Sequence, residues 1–193
     1  MTGRPELLLI TTSRRTSNRV RSFVRDLYTV MPGSERFNRG GMSLQELISR
    51  IQASGATAAL VVTLYKGNPG GIRIFDPSGV ERLVIRMESA ALRREVMRGK
   101  KLRINSIHSL SVPPNSSLQT MKLAQELARL LDTELLELEK LSPVGPEGEH
   151  AVDIRLTDMR GGRTLWTHYH AADVSEVGPR IRVASVIWRM NVE

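Results

Sequence analysis

Seven cations in this chain stand where an anion could be gripped. Arg14 and Arg15 lie between an apolar run and a helical pattern, and Arg21 and Arg25 follow one turn apart on that helix. Arg39 precedes a second capped helix, Lys66 follows an apolar segment, and Arg180 closes the run Glu176-Val177-Gly178-Pro179-Arg180. A guanidinium fork matches phosphate oxygens bidentately. The N–H groups and dipole of a helix start favour the same ligand. In the last run, Gly178 and Pro179 fix the backbone between the Glu176 carboxylate and the Arg180 guanidinium, which could pair when no ligand is bound. Such a segment presents one cation in a defined place and supplies no nucleophile with a base beside it. These residues point to holding a partner rather than cleaving one.

Other chemistries find less support. His168 and His170 sit two apart on a strand pattern, with His150 elsewhere, which makes half a metal site without a third and fourth ligand. Asp153 and Asp158 are carboxylates that nothing singles out as an acid–base pair. Lys66-Gly67-Asn68-Pro69-Gly70-Gly71 departs from the Gly-x-x-x-x-Gly-Lys-Ser/Thr loop and is followed by hairpin signals, so nucleotide hydrolysis is not expected while a phosphate-facing Lys66 stays open. No nucleophile elbow occurs. No metal, cofactor or small-molecule substrate is expected.

Positioning elements follow from periodicity. Leu7–Thr11 reads as a buried strand, Thr12–Thr16 as a loop, and Ser17 as the cap of a helix with Val20, Phe23, Val24, Leu27, Tyr28 and Met31 on one face. Arg21 and Arg25 share the opposite face; Asp26 could relieve only one of them. Arg36-Phe37-Asn38-Arg39-Gly40-Gly41 has two readings, stacking on Phe37 with phosphate contacts beside it or a core Phe37 at a glycine turn; we take Phe37 as core and Arg39 as a contact. Ser43-Leu44-Gln45-Glu46 is a capping box for a helix to about Ser54, stopped by Gly55. Ala58–Tyr65 is a strand, Lys66–Gly71 a loop, and Ile72–Phe75 with Leu83–Met87 a hairpin around Asp76-Pro77-Ser78-Gly79. Glu88–Arg98 reads as a helix.

The order then recurs. Leu102–Leu110 reads as a strand and Val112–Asn115 as a loop. Ser116-Ser117 caps a helix to Leu131 with Leu118, Met121, Ala124, Gln125, Ala128 and Leu131 on one face. Leu135–Leu138, Val152–Leu156, Thr164–His170 and Ile181–Met190 complete the pattern as strands. We expect an α/β fold of two similar units in tandem, about 1–99 and 100–193, joined by the helix at Glu88–Arg98.

Composition sharpens the ligand class. The 193 residues carry a net charge of +8, unevenly: 17 Lys+Arg against 8 Asp+Glu up to Lys100, and 11 against 12 from Lys101 onward. A merely soluble surface is the competing reading, but a positive field confined to one half favours a polyanion. Eight aromatic residues, most at core-type positions, argue against stacking several unpaired bases on a sheet, so RNA contact should go mainly to phosphates, sugars and shape. The chain has no cysteine, which excludes disulfides and thiolate metal sites. No apolar run approaches the ~20 residues of a membrane span, and Leu7–Ile10 is too short for a secretory core. A soluble, cytoplasmic protein without membrane contact is expected.

Four blocks, Leu9-Ile10-Thr11-Thr12-Ser13-Arg14-Arg15, Arg36-Phe37-Asn38-Arg39-Gly40, Lys66-Gly67-Asn68-Pro69-Gly70 and Glu176-Val177-Gly178-Pro179-Arg180, resemble in order the signature blocks of the Brix-domain family. The last resembles the family's sigma-factor-like motif. Asp76-Pro77-Ser78-Gly79 stands where the family has a Gly-Pro-Thr segment. The resemblance, to the short archaeal form, implies a single Brix domain over residues 1–193. Its halves would each be similar to the anticodon-binding domain of class IIa aminoacyl-tRNA synthetases. It implies a non-catalytic role in ribosome biogenesis: binding ribosomal RNA or its precursor and assisting processing and subunit assembly. The other reading is a protein-interaction module whose near-neutral second half docks a ribosomal or processing-complex protein.

Overall fold

A computed structural model describes residues 7–97, 99 and 102–189. Among these residues ten strands form one mixed sheet, accompanied by four α-helices. In chain order the elements are β1 (Leu8–Thr12), α1 (Asn18–Thr29), β2 (Ser34–Arg36), α2 (Leu44–Ser54), β3 (Ala58–Tyr65), β4 (Asn68–Phe75), β5 (Glu81–Ala91) and α3 (Arg93–Val96). They continue with β6 (Ser106–Val112), α4 (Leu118–Leu130), β7 (Leu135–Glu137), a 3₁₀ turn at Gly145–Gly148, β8 (Ala151–Met159), β9 (Arg163–His170) and β10 (Arg180–Trp188). The strands lie in the order β2-β1-β3-β4-β5-β10-β9-β8-β6-β7. Pairing is parallel at both margins, β2-β1-β3 and β8-β6-β7, and antiparallel between them. The antiparallel pair β5–β10 joins the two flanks.

One face of the sheet carries α1 and α4 over a continuous core in which Phe23, Leu27, Leu123 and Leu127 meet Ile10, Leu60, Ile154 and Trp166. The other face differs from end to end. Under β1, β3 and β4 it is apolar, covered by Leu47 and Ile51 of α2. Under β6, β8 and β9 it is polar: Ser109, Ser111, Asp153, Arg155 and Thr167 are buried there. Arg155 donates to the carbonyls of Leu138 (3.0 Å) and Glu139 (2.8 Å) and so pins the strap that covers this end; its burial lowers its proton affinity. The alternation at Val152–Leu156 reads as a half-exposed strand, but both faces are buried.

Four expectations give way. Glu88–Ala91 continue β5 instead of forming a helix, because Ser89, Ala90 and Ala91 pair with Arg182, Ile181 and Arg180 of β10; tertiary pairing overrides helical propensity. Only Arg93–Val96 is helical, and Arg98 lies outside the described residues. The loop after β3 shrinks to Lys66-Gly67, both at positive φ (46° and 80°), the two-residue hairpin turn that matches strand twist. The buried face of α4 is also rotated from the expected one. Thr120, Leu123, Ala124, Leu127, Ala128 and Leu130 are inside, whereas Leu118 is 69% exposed. The strand expected at Leu102–Leu110 is shifted to Ser106–Val112, and Met190 lies outside the described residues.

Candidate nucleic-acid interface

The start of α1 lies beside two of the expected contact cations, Arg14 and Arg15. Ser17 is extended (φ −129°), and its hydroxyl accepts from the Val20 N–H at 3.1 Å while donating to the Gly67 carbonyl at 2.8 Å. One side chain therefore caps the helix and ties it to the turn that carries Lys66. The first turn of α1 contains no acid. Arg14 and Arg15, in the preceding loop, are exposed, and neither forms an ion pair among the described residues. Positive side chains and the positive end of a helix dipole repel one another, so an anion arriving here relieves both.

Arg14 and Arg39 converge. Their Nε atoms donate to the same carbonyl, that of Met42, at 3.4 and 3.0 Å. Arg39 is half-buried; burial lowers its proton affinity, and the charges of Arg14 and Arg73 lower it further. Arg73 is ion-paired with Glu81 and lies over the Phe75 ring. Phe37 packs against the smaller core cluster, as expected, and Arg50, 4.2 Å from its ring centroid, is the cation stacked on it.

Along α1, Arg21 and Arg25 are exposed, and Arg21 donates to Asn18 Oδ1 at 3.2 Å. Asp26 does not relieve either arginine by direct contact. Its Oδ2 accepts from the Arg93 N–H at 2.9 Å, which fastens α3 to α1. Burial raises the Asp26 carboxyl's pKa, partly offset by that N–H and by nearby arginines. Arg19, not picked out in the sequence, completes the clamp through a two-pronged ion pair with Glu95 at 2.6 and 2.9 Å. No local spacing reveals it, since the partners are 76 residues apart.

Glu176–Arg180 is held from two sides. Val177 N–H donates to the His168 carbonyl (2.9 Å), and His168 Nδ1 lies 2.8 Å from the Pro179 carbonyl. A carbonyl only accepts, so Nδ1 carries the proton. Burial lowers the His168 pKa to about 4, opposed by that same bond, so the ring is neutral at pH 7. Gly178, at φ +63°, faces α3: a Cβ there would lie 2.5 Å from Val96 Cγ2 and 3.2 Å from Arg93 Cα. The peptide between Gly178 and Pro179 is cis. Arg180 donates to Glu176 through Nε at 2.7 Å, and this bond raises its proton affinity. Unlike Arg14 and Arg15, it is already neutralised.

Histidines and acids of the second flank are structural in geometry. His170 Nε2 lies 2.9 Å from the Glu149 carbonyl and His150 Nδ1 3.1 Å from that of Arg103. Among the described residues no group of three His, Cys, Asp or Glu could hold a metal. Asp153 is buried against His108 (2.8 Å) and Ser109 (2.6 Å), far in sequence and so not visible there. Asp158 accepts from Ser117 N–H (2.7 Å), Ser117 Oγ (2.7 Å) and Thr120 Oγ1 (2.6 Å) at the start of α4. Burial acts to raise its pKa, but these bonds outweigh it and hold the carboxyl below its ordinary value.

The chain thus combines a mixed α/β sheet with an arginine-lined strand-to-helix turn. No protein-family model matches the chain. The chain is nevertheless homologous to Brix domain-containing ribosomal biogenesis proteins of archaea, as its four sequence blocks implied. It is 48% identical over 73 residues to a probable Brix domain-containing ribosomal biogenesis protein of Aeropyrum pernix, covering 38% of this chain and 41% of that one. To the protein so named in Pyrococcus abyssi it is 27% identical over 193 residues, covering 96% and 85%. A match to the human U3 small nucleolar ribonucleoprotein protein IMP4 is 40% identical over 65 residues, covering 34% and 22%. The matched segments thus span less than half of the length of the Aeropyrum and human relatives. The crystal structure of a probable ribosomal biogenesis protein from Aeropyrum pernix superposes with a TM-score of 0.71 at 27% identity, covering 93% of this chain and 96% of that one.

Proposed function

We propose that this protein is a ribosome biogenesis factor that binds ribosomal RNA or its precursor and assists processing and subunit assembly without catalysing a covalent step. The observation that carries the reading is the set of exposed guanidinium groups at Arg14, Arg15, Arg21 and Arg25, none in an ion pair among the described residues, beside a helix whose first turn has no acid. In this reading those four grip phosphates, Arg39 and Lys66 flank them, and Arg180 is released from Glu176 when RNA arrives. The names of the relatives support the process, and one of them is a component of a ribonucleoprotein.

We further infer that residues 1–193 act as one domain of two similar halves, about 1–99 and 100–193, each similar to the anticodon-binding domain of class IIa aminoacyl-tRNA synthetases. The mirrored strand order about the β5–β10 pair supports this.

The test is binding of the purified chain to ribosomal RNA fragments by fluorescence anisotropy. Nanomolar to micromolar affinity that weakens with salt is expected; absence of binding at low salt contradicts the proposal. A second reading, docking of a ribosomal or processing-complex protein by the near-neutral second flank, is favoured by the exposed side chains of Leu118 and Trp188. Co-purification of a protein partner that survives nuclease treatment would support it.

A further inference from the structure

The side chains at the foot of β5 outline a groove that the seven cations do not describe. Two clefts of about 340 and 270 Å³ share Arg19, Ser89 and Ala90 as a common wall. The first opens toward Tyr65, Lys66, Asn68 and Pro69, the second toward Arg180 and Arg182. Ser89, Ala90 and Ala91 have small side chains, so the floor stays low where β5 pairs with β10. The groove therefore runs from the β3–β4 turn of the first flank to the end of the Glu176–Arg180 block.

Its two ends carry complementary chemistry. Tyr65 is 64% exposed, the most exposed aromatic among the described residues. Gly70 packs against it: a Cβ on Gly70 would fall 2.4 Å from Tyr65 Cβ, so position 70 has no room for a side chain beside the tyrosine. Lys66 lies 5.4 Å from the same ring centroid. It occupies a left-handed position, φ +46°, where Asn or Gly is the economical residue and a lysine costs on the order of 1 kcal/mol. A strained residue that places a cation beside a bare aromatic ring is the kind of outlier that marks a ligand contact. At the far end, Arg182 is exposed and forms no ion pair among the described residues. The acids along the groove are engaged: Glu95 with Arg19, Glu88 with Arg163, Glu176 with Arg180.

We infer that this groove takes a single RNA strand, with one unpaired base stacked on Tyr65 and the adjoining phosphates on Lys66 and Arg182. The inference rests on the RNA-binding reading above and deepens it, because an open helix start grips phosphates of any strand whereas an exposed ring selects unpaired ones. A single platform agrees with the scarcity of aromatics, which argues against a multi-base sheet surface.

The experiment compares the full chain with Tyr65→Ala, Tyr65→Phe and Arg182→Ala on a labelled decauridylate and on a duplex RNA of equal length. Tyr65→Ala is expected to weaken decauridylate binding about tenfold, within the range that base–aromatic stacking supplies, and to leave duplex binding within twofold. Tyr65→Phe should bind as the parent does. Arg182→Ala should reduce the log–log salt slope on the single strand by about 0.7. Equal affinities of Tyr65→Ala and the parent for decauridylate would overturn the groove while leaving the RNA-binding reading intact. Failure of the parent to bind either RNA would overturn both. Thermal unfolding of each variant confirms that the fold is unchanged.

Discussion

The starts of α1 and α4 occupy matching places in the strand order and treat an anion in opposite ways. Each helix follows a strand and a short loop, begins with a serine cap, and is tied to a glycine carbonyl in the next hairpin turn: Ser17 to Gly67, Gln119 to Gly162. At α4 the site for a negative group is filled by the chain itself, through three hydrogen bonds to Asp158. At α1 no carboxylate among the described residues reaches the cap, and Arg14 and Arg15 stand in the loop where Pro113 and Pro114 stand before α4. The same local architecture thus carries an internal acid at one helix start and none in the first turn of the other. The excess positive charge of the first hundred residues lies on the open side.

The two flanks also differ in what acid should do to them. By strand register, His168 of β9 pairs with Ile154 as Ile74 of β4 pairs with Leu60, so a buried imidazole in one flank stands where the other has an aliphatic side chain. Because burial lowers the folded-state pKa of His168 from 6.5 to about 4, the unfolded chain takes up a proton first as pH falls. Stability is full above pH 6.5 and should drop by about 3 kcal/mol between pH 6.5 and pH 4 through this residue alone. Denaturant unfolding across that range checks it; a His168→Asn variant should show a shallower dependence, and an identical dependence would contradict the assignment.

A smaller effect separates the helix starts directly. Asp158→Ala removes the internal anion and should cost about 1–2 kcal/mol of stability, as loss of a helix cap does, while RNA affinity is unchanged or slightly higher. A loss of affinity without loss of stability would reverse the roles given to the two sites. Smaller still, Lys66→Asn should stabilise the turn by several tenths of a kcal/mol, since Asn accepts positive φ more readily. It should at the same time weaken RNA binding a few-fold, and thermal melts with anisotropy titrations read both.

Much of this was legible in the chain, and the losses have a common cause. The capping box at Ser43, the α1 stripe from Val20 to Leu27 and the Glu176–Arg180 pair are local, each linking residues no more than four apart to the next, and the structure contains them. Glu88–Ala91 misled because their pairing partners lie about ninety residues later. The buried face of α4 was misplaced because Leu118, an apolar residue, opens the helix on its exposed side, and Thr120, a polar one, is buried by its bonds to Asp158 and Thr164. Tyr65 ends the strand pattern Ala58–Tyr65, and nothing local in the sequence marks it as the 64% exposed ring it is, with Gly70 packed against it from the next strand.

The most direct test is the salt dependence of binding to a single-stranded ribosomal RNA fragment, for the full chain and for the Arg14→Ala/Arg15→Ala variant. The account expects affinity to fall steeply with salt and the log–log slope to shrink by about 1.4 in the variant, roughly 0.7 for each lost phosphate contact, with stability unaltered. A slope that is flat in the parent, or the same in both proteins, would contradict the claim that the open start of α1 is where the RNA backbone is met.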